Sequence, residues 1–162
     1  MTTRRVATAI QLTLRGLLLA GTLVTCANAG ATIALENWWV RALPPSQTMT
    51  AAYGSITNTG GAAMTLSGAT TEAAQRVELH TTQQSDGQVR MLPMAFPTLA
   101  PGERLVLEPG GPHLMLMGVT TMPALGSTVI VCVQLTTMEP ACTDANVRRT
   151  APMDHSNHSM HH

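Results

Sequence analysis

Beyond residue 32 the chain alternates apolar and polar positions in short runs. Glycine, proline and asparagine cut these runs apart. Arg76-Val77-Glu78-Leu79-His80 is the clearest: Val77 and Leu79 face one side of a strand, and Arg76, Glu78 and His80 face the other. The same pattern predicts strands over Ala34–Arg41, Ala51–Thr57 and Ala63–Ala69, separated by Pro44-Pro45 and by Asn58-Thr59-Gly60-Gly61. Asp86-Gly87 is a hairpin turn signal, with Val89–Met91 returning from it. Leu105–Leu107 closes at Pro109-Gly110-Gly111-Pro112, and His113–Val119 follows. Thr128–Thr136 is the strongest strand, and Asn146–Thr150 is the expected last one. Thr71–Arg76 fits at most one helical turn, and no stretch sustains a helical period. Many short strands with glycine and proline turns predict an all-β sandwich or barrel.

Both ends depart from this pattern. Arg4 and Arg5 precede a short apolar run from Leu17 to about Ala27, and Ala27-Asn28-Ala29 fits a small-x-small cleavage rule. Residues 1–29 are therefore expected to be an export signal, residues 30–151 the domain, and residues 152–162 a tail. The apolar run is too short to span a bilayer, so no stable membrane insertion is expected. Leu23-Val24-Thr25-Cys26 resembles a lipobox, which keeps a lipoprotein anchored through Cys26 as an alternative to free release into the periplasm. The Arg4-Arg5 pair leaves both the general and the twin-arginine export routes open. The tail lacks apolar periodicity and is expected to be disordered without metal. It interleaves Met153, His155, His158, Met160, His161 and His162, a composition associated with metal binding.

Composition removes several functions. Lysine is absent, which excludes Schiff-base lysines and Walker-type phosphate loops. After the signal, six arginines face nine acids, a formal charge of −3 with no basic patch beyond Arg148-Arg149, so nucleic acid is not an expected partner. Trp38, Trp39, Tyr53 and Phe96 are too few aromatics for a stacking platform. The domain holds only two histidines, short of a zinc hydrolase's ligand set, and no local Ser-His-Asp signature appears. Neither Cys132 nor Cys142 has a histidine within the next ten residues, unlike the ligand run of an electron-transfer cupredoxin. An enzyme is not expected. The two cysteines could pair in an oxidising compartment, and the free-thiol reading stays open.

The remaining chemistry is soft. In a strand His113 and Met115 share a face, while Leu114 and Leu116 take the other. His80 and Met91 lie on the two arms of the expected hairpin, so four neutral donors from two segments could converge on one ion. Thioether and imidazole ligands without carboxylate favour copper(I) over Cu(II) or a hard cation. Met117 continues the same side of its strand and could pack beside the ion or compete for it. Met64, Met94, Met122 and Met138 are assigned to packing or surface, and Glu78 to orienting His80 or to an ordinary exposed carboxylate. Imidazoles protonate near pH 6.5 when unperturbed, so copper(I) affinity is expected to weaken through that range.

These residues resemble the periplasmic copper chaperones of the PCu(A)C type, whose signature is His, ten residues, Met, twenty-one residues, His, one residue, Met. His80, Met91, His113 and Met115 repeat that spacing without a departure. Trp39-Val40-Arg41-Ala42, Ala51-Ala52-Tyr53, Asn58, Val77-Glu78-Leu79-His80 and Gly110 to Gly118 match the flanks, and the similarity covers roughly Ala34 to Thr137. The resemblance implies a cupredoxin-like Greek-key β-sandwich that binds copper(I) through those four residues. It implies delivery to the CuA-bearing subunit of cytochrome c oxidase, directly or through a thiol-containing relay protein; a monomer is expected. Some members carry a His/Met-rich extension that binds Cu(II), and the tail is similar. The stretch holding Cys132, Met138, Pro140 and Cys142 departs from the plain terminal hairpin of that family. Periplasmic copper scavenging or tolerance, without oxidase delivery, is the alternative function.

Overall fold

A computed structural model describes residues 33–85 and 87–150. The expected export signal of residues 1–29, Asp86, and the expected tail with Met153, His155, His158, Met160, His161 and His162 lie outside the described residues. The described chain is all-β: β1 (Ile33–Arg41), β2 (Met49–Asn58), β3 (Met64–Thr71), β4 (Arg76–Ser85), β5 (Gln88–Pro93), β6 (Thr98–Leu99), β7 (Arg104–Leu107), β8 (His113–Met117), β9 (Thr128–Leu135) and β10 (Ala141–Arg148).

One hydrogen-bonded path runs β5-β4-β8-β2-β1-β10-β9-β3-β6, with β7 also pairing β2. The path folds over itself into a sandwich. Leu79, Leu114 and Leu116 of β4 and β8 share a core with Leu66 and Ala69 of β3, Val131 and Val133 of β9, and Ala145 and Val147 of β10. The β1 strand is the corner. Its first half pairs only β2; after a register shift between Glu36 and Trp39 it also pairs β10 in parallel. Asn37 takes a left-handed φ of 58° at that bulge, a conformation asparagine tolerates better than most residues.

Strand alternation sends the two adjacent tryptophans to opposite faces. The Trp38 indole lies on the main core against Gly54, where a Cβ would come within 2.7 Å of the ring, so only glycine fits. Trp39 turns to the outer face of the same sheet and builds a second, smaller apolar cluster with Ala51, Tyr53 and Met115. Asn58 is buried and ties loops together, donating to the carbonyls of Ala62 and Leu99 while accepting from the Gly60 amide.

Several expectations change or are refined. The last strand is Ala141–Arg148 rather than Asn146–Thr150, because small Ala141 and Ala145 carry its inward face and mute the apolar signal. Thr71–Arg76 is a turn without a helix, and Thr98–Leu99 is a strand too short for periodicity to reveal. The cysteine-bearing segment, expected to depart from a plain hairpin, is an ordinary antiparallel β9–β10 pair. Cys132 and Cys142 stand directly opposite in it and form a disulfide, their Cα atoms 4.0 Å apart.

Candidate metal centre

Two non-local pairings build the centre. In the β4–β8 ladder His80 lies directly opposite His113, and Glu78 lies opposite Met115. In the β4–β5 hairpin Met91 lies opposite Thr82, two residues along from His80. Directly opposed residues share a face, and so do residues two apart on a strand. His80, Met91, His113 and Met115 therefore occupy one face of the three strands β5, β4 and β8. His80 is the hub: its diagonal neighbours are Met115 on one side and Met91 on the other, positions about 7–8 Å away in a regular sheet with their Cβ atoms somewhat closer.

The four are not equally enclosed. His113 is 2% exposed, Met115 is half-buried against Trp39, Ala51 and Tyr53, and Met91 on the edge strand is 58% exposed. The two imidazoles are drawn together, with ring centroids 6.2 Å apart and planes at 48°. Met91 shares their face but stands on the open rim. Met117 continues the face, yet its sulfur accepts from Arg76 Nη2 at 3.5 Å and so is already engaged. Met64 is in the main core, Met94 and Met122 pack against it, and Met138 is exposed.

Local structure delivers each histidine. Pro109-Gly110-Gly111-Pro112 closes a tight reversal: the Gly111 amide donates to the Glu108 carbonyl at 3.1 Å and the Glu108 amide to the Pro112 carbonyl at 2.8 Å. Gly110 has φ of 87°, a left-handed conformation that glycine adopts without steric cost. The turn aims the Gly111 carbonyl at His113, whose Nδ1 donates to it at 2.9 Å. On β4, His80 Nε2 lies 2.9 Å from Glu78 Oε2, and the other Glu78 oxygen takes Arg76 Nε at 2.7 Å. The hydrogen bond from His80 holds the Glu78 carboxyl below the usual carboxylate range; partial burial opposes it and Arg76 reinforces it. Outside the histidine pair, Tyr53 stacks on Trp39 at 4.4 Å, tilts against His113 at 6.2 Å, and carries the Arg41 guanidinium 5.3 Å over its ring. Burial pushes the Tyr53 phenol up, with Arg41 opposing, so it is neutral at physiological pH.

What remains open in this arrangement is specific. His80 Nδ1 and His113 Nε2 are buried and make no hydrogen bond. Buried polar atoms are ordinarily partnered, and an orphaned pair on facing rings is what a bound metal ion would satisfy. No group of three or more His, Cys, Asp or Glu side chains able to share an ion occurs among the described residues. The further donors on the same face are the thioethers of Met91 and Met115, and that donor chemistry fits copper(I). Sequence reasoning placed Glu78 beside His80 but missed Arg76 and the Gly111 carbonyl. Arg76 was legible, since it shares the strand face of Glu78 and His80; the carbonyl was not, because a backbone group has no sequence signature.

Comparison with known proteins places the chain. The family described as "Putative lipoprotein LpqE-like" matches residues 33–147. "Putative lipoprotein Lxx21020" of Leifsonia xyli is 35% identical over 100 residues, which is 61% of this chain and 59% of that protein. The aligned part thus spans about three-fifths of that relative's length. The copper-bound PCuAC domain from PmoF2 superposes with a TM-score of 0.61 at 22% identity, over 75% of this chain and 95% of that one, a likeness of fold. The solution structure of CuI-DR1885 from Deinococcus radiodurans is 32% identical over 75% of this chain and 83% of that one, with a TM-score of 0.58.

Proposed function

We propose that this chain, which belongs to the LpqE-like family, is an exported copper(I) chaperone that holds the ion with His80, Met91, His113 and Met115. The observation that carries the reading is the opposed His80–His113 pair with its two unpartnered ring nitrogens, flanked on one face by two methionines. A relative of 32% identity, DR1885, has a solution structure in its copper(I) form, which supports the same ion here.

The donor set suits transfer. Four neutral ligands leave the ion its own single positive charge, and thioether and imidazole compete poorly with thiolate for a soft cation. Passage to a cysteine-rich acceptor therefore runs downhill. Met91 on the exposed rim is the ligand an incoming thiolate would displace first, because it gives up the least packing. The acceptor in this reading is the CuA-bearing subunit of cytochrome c oxidase, or a thiol relay protein that serves it. The tail histidines and methionines favour a second reading, copper capture for tolerance, in which Cu(II) is gathered near the domain without oxidase delivery.

Export is common to both. Cleavage after Ala29 frees the domain into the periplasm, whereas acylation of Cys26 tethers it to a membrane; the lipoprotein names of the family and of the Leifsonia relative favour the tether. Phase partitioning of the mature protein into detergent, lost in C26S, is the expected result for a tethered form. Gene deletion separates delivery from capture. Oxidase activity lost at low copper and rescued by added copper supports delivery; copper sensitivity with intact oxidase supports capture. Failure of an apo acceptor to strip copper from the loaded protein would count against delivery.

A further inference from the structure

Which atom of each imidazole meets the ion follows from the partners of the other atom. A carbonyl oxygen only accepts hydrogen bonds, so the 2.9 Å contact between His113 Nδ1 and the Gly111 carbonyl requires a proton on Nδ1. A neutral His113 then carries its lone pair on Nε2, the atom that is buried and unpartnered. An ionised carboxylate also only accepts, so the 2.9 Å contact of His80 Nε2 with Glu78 requires a proton on Nε2. A neutral His80 then carries its lone pair on Nδ1, again the buried and unpartnered atom. Two independent hydrogen bonds, one from a backbone turn and one from a side chain, leave opposite nitrogens free on the two rings.

We infer that His80 and His113 are held in opposite tautomers, so that copper(I) bonds Nδ1 of the first and Nε2 of the second. Arg76-Glu78 is the positioning pair for the His80 side. This rests on the copper(I) reading above for the ion and on the apo hydrogen bonds for the tautomers. The asymmetry has a steric logic. Nδ1 lies close to the backbone of its own strand and Nε2 lies at the far end of its ring, so the free nitrogen of His80 stands nearer β4 than the free nitrogen of His113 stands to β8. Met91 flanks His80 on the β5 side, as its diagonal neighbour across the β4–β5 hairpin. Arg76 acts twice. Its Nε fixes the Glu78 carboxylate that locks His80, and its Nη2 engages the Met117 sulfur. The same guanidinium therefore sets the imidazole and keeps a competing thioether occupied, leaving Met115 as the sulfur donor from β8.

The test is long-range proton–nitrogen correlation spectroscopy on the full, 15N-histidine-labelled apo protein at about pH 8, above the imidazole range. The two rings are assigned by comparison with H80Q and H113Q. The expected spectra place the proton on Nδ1 of His113 and on Nε2 of His80. Adding Ag(I), a spin-active stand-in for copper(I), should perturb Nε2 of His113 and Nδ1 of His80. E78A should give His80 a mixed tautomer and lower copper(I) affinity about 10- to 100-fold, while E78Q, whose amide oxygen still accepts, should keep the Nε2 proton and most of the affinity. An Nε2 proton on apo His113, or silver on Nε2 of His80, overturns the assignment. Unchanged affinity in E78A overturns the role of the positioning pair. Tautomers as stated with no uptake of silver or copper would instead overturn the copper(I) reading, so the two failures are distinct.

Discussion

Replacing His113 by leucine should make the apo protein more stable while abolishing its copper(I) binding. His113 is 2% exposed and its Nε2 is buried without a partner, so the apo fold carries an unsatisfied acceptor costing about 1–3 kcal/mol. Leucine, of similar bulk, removes that atom. It also removes the Nδ1 bond to the Gly111 carbonyl, worth about 1 kcal/mol. That carbonyl belongs to a half-exposed residue of a surface turn, where water can replace the lost donor. Taking about 2 kcal/mol for the orphan against about 1 kcal/mol for the bond, H113L should gain roughly 1 kcal/mol. For a domain of this size that is a rise in Tm of roughly 3–5 °C. The assay is urea and thermal unfolding of both apo proteins, repeated with copper(I) at about a hundred times its Kd. Wild type should then gain about 2.7 kcal/mol by mass action, and H113L nothing. An apo variant destabilised by 1 kcal/mol or more would refute the reasoning, because the free nitrogen would then be contributing to the fold.

Four other outcomes follow from the same geometry. M91L should lower copper(I) affinity while moving stability by no more than about 0.5 kcal/mol, since the side chain stands 58% exposed on an edge strand; chelator competition and urea melts read the two separately. Replacing Cys132 and Cys142 together by serine opens a loop of sequence separation 10, worth about 2.7 kcal/mol in the chain-entropy account. Copper(I) uptake should be unchanged there, because β9 and β10 lie across β1 and β2 from the centre. Copper(I) affinity should fall as pH drops, because protons compete for both imidazole lone pairs, and an affinity constant from about pH 8 to about pH 5 would contradict histidine ligation. In acid a second effect enters. The Glu78 carboxyl is held below its ordinary range, so its stabilising contribution is present above the unfolded value of about 4.3 and is lost as pH falls through the lower folded value. Apo wild type should lose stability in that window, and E78Q less, as followed by unfolding at graded pH.

The alternation Arg76-Val77-Glu78-Leu79-His80 determined by itself that the histidine and its carboxylate share a face opposite the core, because side-chain direction in a strand has a period of two. His113 and Met115 shared a side for the same reason, and the softness of the donors pointed to copper(I) before any coordinates. Strand boundaries were legible where bulky apolar residues carried the inward face and faded in Ala141–Arg148, where alanine and threonine replaced them. What no local pattern could supply was register. A slip of one residue between β4 and β8 would turn one histidine away from the other, and only the assembled ladder sets His80 opposite His113. Tertiary structure likewise decided that Met91 stands on the open rim, that Arg76 occupies Met117, and that Trp39 and Tyr53 form a second cluster behind Met115. These are contacts between segments distant in sequence, and their energies depend on burial and pairing that exist only once the sandwich has closed.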